Sequence, residues 1–232
     1  ALNSSNGLTQ SLNVGQAISD AIDEWIETEI KRKFLYKLPQ FNLIETMKVQ
    51  NGKILFFKEH LERLKNSANF FNYEFNESLY DLKPAQDGIM RLVLQQNGQY
   101  DIEYKKLKEN KTTKIKLSDK IINSSNLFLY HKTDYRPWYQ DTMNKIKNGE
   151  LYDEVYFNEK GELTEGGRSN IVIKKDGELY TPPISSGLLN GVYRQSILDK
   201  LKEKILYKND VINADKIYCI NSVRGIVEVE LC

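Results

Sequence analysis

The sequence predicts an α+β protein, because strand-like runs, one helical stretch and further strand-like runs follow one another over residues 41–121. Two of these runs flank Asn51-Gly52 and two more flank Asn97-Gly98, the residue pairs that tight β-hairpin turns favour. Between the two turns, apolar residues recur at the three- and four-residue spacing of a helix with one buried face. They are Leu61, Leu64, Ala68 and Phe71.

Residues 1–40 are expected to combine a polar segment with a helix. Residues 1–15 are rich in Ser, Asn, Gly and Gln, a composition that disfavours a packed structure. In the next stretch, "ISDAIDEWIETEIKRKFL", Ser19 is a suitable helix N-cap. The apolar residues there have helical spacing and are Ile18, Ile22, Trp25, Ile26 and Ile30.

Two domains are expected after residue 40, a small one at 41–122 and a large one at 131–232, joined by a linker at 123–130. The second half repeats the hairpin pattern, with turns near Lys160-Gly161 and Asp176-Gly177. A loop, "PPISSGLLNG", and a predicted helix, "VYRQSILDKLKEK", precede two final strand-like runs that "NSVRG" separates.

The composition excludes several classes of protein. The 33 basic and 32 acidic residues balance, so nothing in the charge favours nucleic acid or an anionic membrane as a partner. No apolar run approaches the roughly 20 residues of a membrane span, and the polar N-terminus lacks the pattern of a signal peptide. The two cysteines and two histidines predict neither a disulfide framework nor a metal site, which makes the cytoplasm the expected location.

Lys132 has an unusual setting, "LYHKTDYRPW". The apolar run at 127–130 is predicted to be a buried strand, and aromatic residues with an X-Pro bond follow. An ordinary solvated lysine is the commoner case for any one lysine. A lysine at a strand end that opens onto a cleft loses hydration, however, so its pKa falls and its amine becomes a nucleophile able to form a Schiff base.

Glu165 stands in a second pattern, "LTEGGRSNIVI". It follows a predicted strand and precedes Gly166 and Gly167, which would let a ligand ring pass close to the backbone. A polar turn with a solvated carboxylate explains the same residues, so the pattern is weak by itself.

Two more patterns are suited to anions. Asn190-Gly191 precedes a predicted helix whose first free backbone N–H groups, at Val192 and Tyr193, could bind a phosphate. In "NSVRG", hydroxyl and backbone N–H groups could serve the same anion, and Arg224 could bind a carboxylate. Asn190 as a simple N-cap is the competing interpretation of the first pattern.

In this order, the patterns resemble the class IV aminotransferase family, the fold-type IV pyridoxal-phosphate enzymes. The similar stretches span roughly residues 41–232 and are "FNLIETMKVQNGKI", "KEHLERLKNSA", "HKT", "DEVYFNEKGELTEGGRSNIVIKKDGELYTPP", "SSGLLNGVYRQSIL" and "CINSVRG". The resemblance implies a two-domain fold like that of D-amino acid aminotransferase, with pyridoxal 5'-phosphate as cofactor and a homodimer as assembly.

The resemblance also implies roles for individual residues. Lys132 would form the covalent link to the cofactor, and Glu165 would pair with the pyridine nitrogen. Arg63, otherwise an ordinary charge on a solvated helix face, would bind the cofactor phosphate. The remaining implied cofactor contacts are the backbone of Val192 and Tyr193, Ser222 with Val223, Asn170, and either Tyr135 or Arg136.

Within the family, three features are similar to aminodeoxychorismate lyases, in particular the lyase domain of synthase–lyase fusions. They are "HKTDYRPWY", the ending "NSVRGIVEVEL", and the segment at 13–35, which resembles the tail of a synthase domain. The implied reaction converts 4-amino-4-deoxychorismate to 4-aminobenzoate and pyruvate in folate biosynthesis, and the resemblance also implies a functional link to a synthase. Arg224, then Arg91 and Arg168, are the candidate anchors for the substrate carboxylates.

Two alternatives stay open at the level of the sequence. One is a branched-chain or D-amino acid aminotransferase of the same fold. The other is a non-enzymatic interaction protein with a degenerate site, against which the intact Lys132 and Glu165 argue.

Overall fold

Two β-sheets carry the fold of residues 38–232, the part of the chain that the computed structural model describes. The helix expected near residues 18–30 lies outside the described residues. Within them, Phe41–Cys232 forms one unit by its internal contacts. None of the helices in this part is long and apolar enough to cross a membrane.

The first sheet has four antiparallel strands in the order β2-β1-β3-β4. The strands are β1 Leu43–Gln50, β2 Lys53–Ile54, β3 Gly88–Leu94 and β4 Tyr100–Lys105. Asn51 and Gly52 both have positive φ, as the predicted two-residue turn between β1 and β2 requires. At Asn97-Gly98 the hairpin is confirmed but its turn is wider, since Gln95 N–H donates to Gln99 O and only Gly98 of the pair has positive φ.

Helix α1, Phe57–Phe71, packs against β1. The predicted apolar stripe is confirmed, because all four of its residues are buried. Two polar residues, His60 and Ser67, are buried on the same helix, and Asn72 ends it in a left-handed conformation. The helix thus presents polar groups to the inside of the protein as well as apolar ones.

The second sheet has eight strands in the order β10-β9-β8-β11-β12-β5-β6-β7. The strands are β5 Lys114–Ile122, β6 Asp153–Asn158, β7 Leu163–Gly166, β8 Asn170–Lys175, β9 Glu178–Thr181, β10 Lys202–Glu203, β11 Lys216–Asn221 and β12 Gly225–Leu231. Three helices accompany it: α2 Gln140–Asn148, α3 Val192–Ser196 and α4 Lys208–Ile212. The hairpins at Lys160-Gly161 and Asp176-Gly177 are confirmed, and the sheet's central apolar cluster is fully buried around Val155 and Ile171.

Two sequence predictions of local structure are wrong. Residues 192–204 are not one helix: α3 ends at Ser196, a 3-10 turn follows at Leu198–Lys200, and Lys202–Glu203 pairs with β9. The buried Arg194 side chain donates to Glu203, which favours this sheet pairing over a continued helix. The run before Lys132 is a 3-10 turn, Leu127–Leu129, rather than a strand, because Asn126 Oδ1 accepts from Phe128 N–H and caps the turn.

The proposed division into domains at 41–122, 123–130 and 131–232 stays a prediction. The change from the first sheet to the second falls between Lys105 and Lys114 along the chain. Strand β5, grouped by sequence with the small domain, pairs with β6 and β12 of the larger sheet.

Gly88 at the start of β3 offers a test of the first sheet. Its φ is +131°, and a Cβ there would lie 2.6 Å from the backbone oxygen of Lys105. We expect Gly88→Ala to cost about 3 kcal/mol in the free energy of unfolding. Gly161→Ala is the matched control, because it has positive φ with open space around it and should cost only about 1 kcal/mol. Equal losses in urea denaturation would contradict the described contact.

Candidate functional site

Lys132 is fixed to the beginning of β1 through its backbone. Its carbonyl oxygen accepts from Ile44 N–H at 2.9 Å, and Asp134 N–H donates to Asn42 O at 3.1 Å. The Asp134 carboxylate also accepts from the backbone and side-chain nitrogens of Asn42, both at 2.8 Å. This short antiparallel bridge replaces the predicted strand end as the element that positions the lysine.

Four charged side chains surround the amine of Lys132. Burial lowers the pKa of Lys132 to about 7, and the guanidinium groups of Arg63 and Arg136 contribute to the lowering. The carboxylates of Glu45 and Glu165 act in the opposite direction. A large fraction of the amine is therefore neutral, and hence nucleophilic, near pH 7.

Glu45 holds Arg63 in a fixed orientation. Its carboxylate is 1% exposed and accepts from Arg63 Nε at 2.8 Å, from Arg63 Nη2 at 2.6 Å and from His60 Nδ1 at 2.6 Å. Burial alone would raise the pKa of Glu45, but Arg63 and His60 outweigh it and hold the pKa at about 2. Arg63 Nη1 donates to Asn190 O at 3.3 Å, so the guanidinium reaches the loop before α3.

Two of the groups suited to an anion are connected to this arginine through neighbouring residues. Helix α3 begins at Val192, two residues after Asn190, and no described side chain caps it. Ser222 Oγ donates to Thr46 O of β1 at 3.4 Å, which places that hydroxyl next to Glu45 along the strand. Arg63, the start of α3 and Ser222 are thus joined to one another through β1 and the loop at Asn190.

The backbone N–H of Val223, a predicted phosphate contact, already donates a hydrogen bond within the protein. The N–H of Val223 donates to Asn221 Oδ1 at 3.1 Å, as does the N–H of Arg224 at 2.9 Å. The assignment of the Val223 backbone to the phosphate stays a prediction, as does that of the Tyr193 backbone.

Glu165 is a second buried carboxylate of the site, 3% exposed. Its Oε1 accepts from Arg136 Nη2 at 2.6 Å and from Tyr139 OH at 3.2 Å. Its Oε2 accepts from Leu189 N–H at 3.1 Å and from Asn170 Nδ2 at 3.5 Å. Burial raises the pKa of Glu165, whereas Arg136 and the Leu189 N–H stabilise its charged form. Four donors thus orient this carboxylate from the protein side.

The glycines after Glu165 accommodate protein atoms. A Cβ on Gly166 would lie 2.5 Å from Asp153 Oδ2, and one on Gly167 would lie 2.9 Å from Thr142 Cγ2. The Gly167 N–H donates to Asp153 Oδ1 at 2.8 Å. Asp153 and Thr142 therefore fix the turn that carries Glu165, and a ligand ring close to the backbone of the two glycines stays a prediction.

The structure distinguishes Tyr135 from Arg136, the two candidates for a cofactor contact that follow Lys132 in the sequence. Arg136 faces Glu165, and its Nη1 donates to Gly167 O at 3.4 Å. The ring of Tyr135 lies 5.0 Å from that of Phe128 and is partly exposed. A cofactor contact by Tyr135 stays a prediction, whereas Arg136 is in place against the buried carboxylate.

The three candidate anchors for the substrate carboxylates lie in two different places. Arg91 lies opposite Glu103 of β4 on the first sheet. Arg168 and Arg224 instead line one cavity, where each donates to a backbone oxygen, Arg168 to Tyr152 at 2.8 Å and Arg224 to Lys108 at 3.0 Å.

Glu45 and His60 were not among the site residues predicted from the sequence. A signal was present, because strand alternation places Glu45 on the same face of β1 as the buried Leu43 and Met47. A carboxylate at an inward strand position needs a cationic or hydrogen-bonding partner, and His60 with Arg63 at i, i+3 on α1 supplies both.

His131, next to Lys132, packs against aromatic side chains. Its ring stacks on Phe70 with centroids 4.4 Å apart, and its Nδ1 lies 2.9 Å from Ser67 Oγ. Burial lowers its pKa to about 4, so it is neutral at physiological pH.

The residues fit a pyridoxal phosphate. A partly deprotonated lysine, a buried carboxylate held by donors, and an arginine beside an uncapped helix start supply the three kinds of contact that the aldehyde, ring nitrogen and phosphate require. The buried Nε of Arg136 has no partner among the described residues, which leaves one donor available at this position.

Comparison with known proteins agrees with this geometry. The family model described as "Amino-transferase class IV" matches residues 42–232. The "Probable branched-chain-amino-acid aminotransferase" of Thermotoga maritima is 23% identical over 80% of this chain and 75% of its own length. The "Putative aminodeoxychorismate lyase" of Schizosaccharomyces pombe is also 23% identical, over 82% of this chain and 89% of its own.

A crystal structure of a "Putative amino-acid aminotransferase" from Mesorhizobium loti superposes with a TM-score of 0.75. It is 32% identical, and the match covers 83% of this chain and 100% of the other. The fold expected from the sequence, that of the fold-type IV enzymes, is thereby confirmed. The chain belongs to the class IV aminotransferase family, and its cofactor is pyridoxal 5'-phosphate.

Proposed function

We propose that the protein is a lyase that converts 4-amino-4-deoxychorismate to 4-aminobenzoate and pyruvate. The feature on which this choice rests is Arg136, which donates to the buried Glu165 and which we take to replace the tyrosine that the family resemblance implies beside the cofactor hydroxyl. Its guanidinium lies 2.6 Å from Glu165, within the segment "HKTDYRPWY" that is similar to the lyases. The name of the Schizosaccharomyces pombe relative supports the same reaction.

The residues that would hold the cofactor follow from the site. Lys132 would take the aldehyde carbon, Glu165 the pyridine nitrogen and Arg63 the phosphate. Val192 and Tyr193 at the start of α3, Ser222 with Val223, and Asn170 are proposed as further contacts. When bound, the cofactor supplies an electron sink for the carbon that loses its proton.

Lys132 then has the protonation behaviour that the reaction needs. With a pKa near 7, its amine is neutral often enough to accept the proton from ring C4 of the substrate and can return a proton afterwards. The C–O bond to the enolpyruvyl group breaks, this group takes up a proton and leaves as pyruvate, and the ring becomes aromatic. Arg136 and Tyr139 keep Glu165 fixed throughout, because both donate to its Oε1.

The second candidate is an aminotransferase for branched-chain or D-amino acids. The Mesorhizobium loti structure and the Thermotoga maritima relative favour it by name, and the same Lys132 and Glu165 would serve it.

Four further proposals accompany the lyase. They are a homodimer, a location in the cytoplasm, a role in folate biosynthesis and a functional link to an aminodeoxychorismate synthase.

The lyase reaction can be tested with the pyridoxal-phosphate-loaded protein. Incubation with 4-amino-4-deoxychorismate should yield pyruvate and 4-aminobenzoate in equal amounts. Lys132→Ala should lower the rate by about 100-fold or more, because the positioned base is lost. Lys216→Ala is the control, since Lys216 is exposed and pairs with Glu228. Turnover of an amino acid with a 2-oxo acid, without 4-aminobenzoate, would establish the aminotransferase instead.

The low pKa of Lys132 predicts a pH-dependent reactivity. In the cofactor-free protein, acylation of Lys132 should rise with a midpoint near pH 7, because only the neutral amine reacts and its fraction grows as pH increases through the pKa. Lys216, whose pKa the hydrogen bond to Glu228 raises, should stay poorly reactive over the same range. Mass spectrometry of labelled peptides gives both profiles, and coinciding profiles would contradict the electrostatic account.

Glu45→Gln tests the fixed orientation of Arg63. Loss of the carboxylate leaves Arg63 without its buried partner, so the dissociation constant of pyridoxal phosphate should rise by about tenfold or more. Affinity for pyridoxal, which lacks the phosphate, should change much less. Glu77→Gln, which removes a carboxylate from the exposed pair with Lys65, should leave both affinities unchanged. An equal loss for pyridoxal would indicate a general structural role for Glu45.

A further inference from the structure

We propose that the cavity lined by Arg168, Arg224 and the loop at 105–112 is a binding site for a small dicarboxylate, and that it selects the dianionic substrate. The inference rests on the proposed lyase function for the identity of that substrate. The cavity has a volume of about 710 Å³, within the range of small-molecule sites. We call it the dicarboxylate cavity.

The lining of the dicarboxylate cavity is strongly cationic. Besides the two arginines it includes five lysines, against one acidic residue, Glu109. The lysines are Lys105, Lys106, Lys108, Lys111 and Lys147. Lys105 has a partner in Glu103 at 3.1 Å. This excess of one sign in a concave surface raises the local concentration of anions.

The two guanidinium groups are held in place by neutral partners. Arg168 donates to Tyr152 O and lies over the Tyr152 ring, with its Cζ 4.5 Å from the ring centroid. Arg224 donates to Lys108 O, which ties the turn at 221–225 to the lysine-rich loop. Among the described residues, no carboxylate forms an ion pair with either of them.

The unpaired charge of Arg168 and Arg224 points to an anionic ligand. The Nε of Arg168 is buried and has no partner in the described part of the chain. A guanidinium presents paired N–H donors that match a carboxylate, so two of them side by side suit a molecule with two carboxylates. Such a ligand would neutralise both charges at once.

Apolar lining residues indicate a carbon skeleton between the carboxylates. Ile89, Ile146, Leu151 and the Tyr152 side chain contribute to the walls. Inorganic anions gain nothing from such walls, whereas a ring bearing two carboxylates uses both kinds of surface. A branched-chain amino acid, with one carboxylate, would satisfy only one arginine.

The dicarboxylate cavity is connected to the predicted cofactor residues along the chain by two turns. Arg168 follows Glu165 by three residues on the turn that Asp153 fixes. Arg224 follows Ser222 by two residues on the turn that Asn221 fixes. Both turns therefore connect a predicted cofactor contact to an arginine of the cavity.

The test compares the binding of isophthalate and benzoate to the pyridoxal-phosphate-loaded protein by calorimetry. These probes share one ring and differ by one carboxylate. Isophthalate should bind at least about tenfold more tightly than benzoate, the value of one good ionic contact. In the double variant with Arg168→Gln and Arg224→Gln, the ratio of isophthalate affinity to benzoate affinity should fall to about one. Lys216→Gln, which removes one cation outside the cavity, should preserve it.

Further arms separate the alternatives. The visible absorption of the bound cofactor verifies that each variant folds. A triple variant at exposed loop positions combines Lys106→Gln, Lys108→Gln and Lys111→Gln. It should lower the ratio of isophthalate to benzoate affinity without affecting that absorption. Equal affinities for the two probes, an unchanged ratio in the arginine variant, or tighter binding of pyrophosphate than of isophthalate would overturn the dicarboxylate cavity.

The same measurements distinguish this inference from the proposed function. Selective isophthalate binding without formation of 4-aminobenzoate would refute the lyase and leave the cavity in place. Formation of 4-aminobenzoate with an unchanged KM in the arginine variant would refute the cavity and leave the lyase in place.

Discussion

The arrangement of the site depends on one buried carboxylate, that of Glu45. Placing an unpaired charge at an inward position of a strand is costly, so Glu45 requires Arg63 and His60 to come to it from α1. The neighbouring residues of the same strand bind Lys132 through Ile44 and Ser222 through Thr46. A single strand therefore brings together residues that lie far apart in the sequence.

The electrostatic balance at Lys132 follows from this arrangement. The amine is influenced by two cations and two anions, Arg63 with Glu45 and Arg136 with Glu165. Each cation is paired with its own carboxylate, at 2.6 Å in both cases. Burial therefore has the largest effect on the lysine, and it lowers the pKa into the range where an amine serves both as nucleophile and as base.

Much of the fold and part of the site could be predicted from the sequence. The turns at Asn51-Gly52 and Asp176-Gly177 could be identified because few residues adopt positive φ there, and the stripe on α1 because helical periodicity is local. The role of Lys132 could not come from its neighbours alone. It came from a resemblance that combined patterns spread over much of the chain.

Other features were beyond sequence reasoning for physical reasons. The early end of α3 depends on β10 pairing with β9, which is a non-local contact. The contact of Arg136 with Glu165 joins residues 29 positions apart, and sequence spacing could not choose between Arg136 and Tyr135. The cavity shared by Arg168 and Arg224 likewise exists only because two turns and a loop converge.

The most direct measurement is a crystal structure of the pyridoxal-phosphate-loaded protein. We predict electron density that is continuous from Lys132 Nζ to the cofactor, with the phosphate at Arg63 and the start of α3 and the pyridine nitrogen at Glu165. Density joined to another lysine, or a phosphate remote from Arg63, would contradict it.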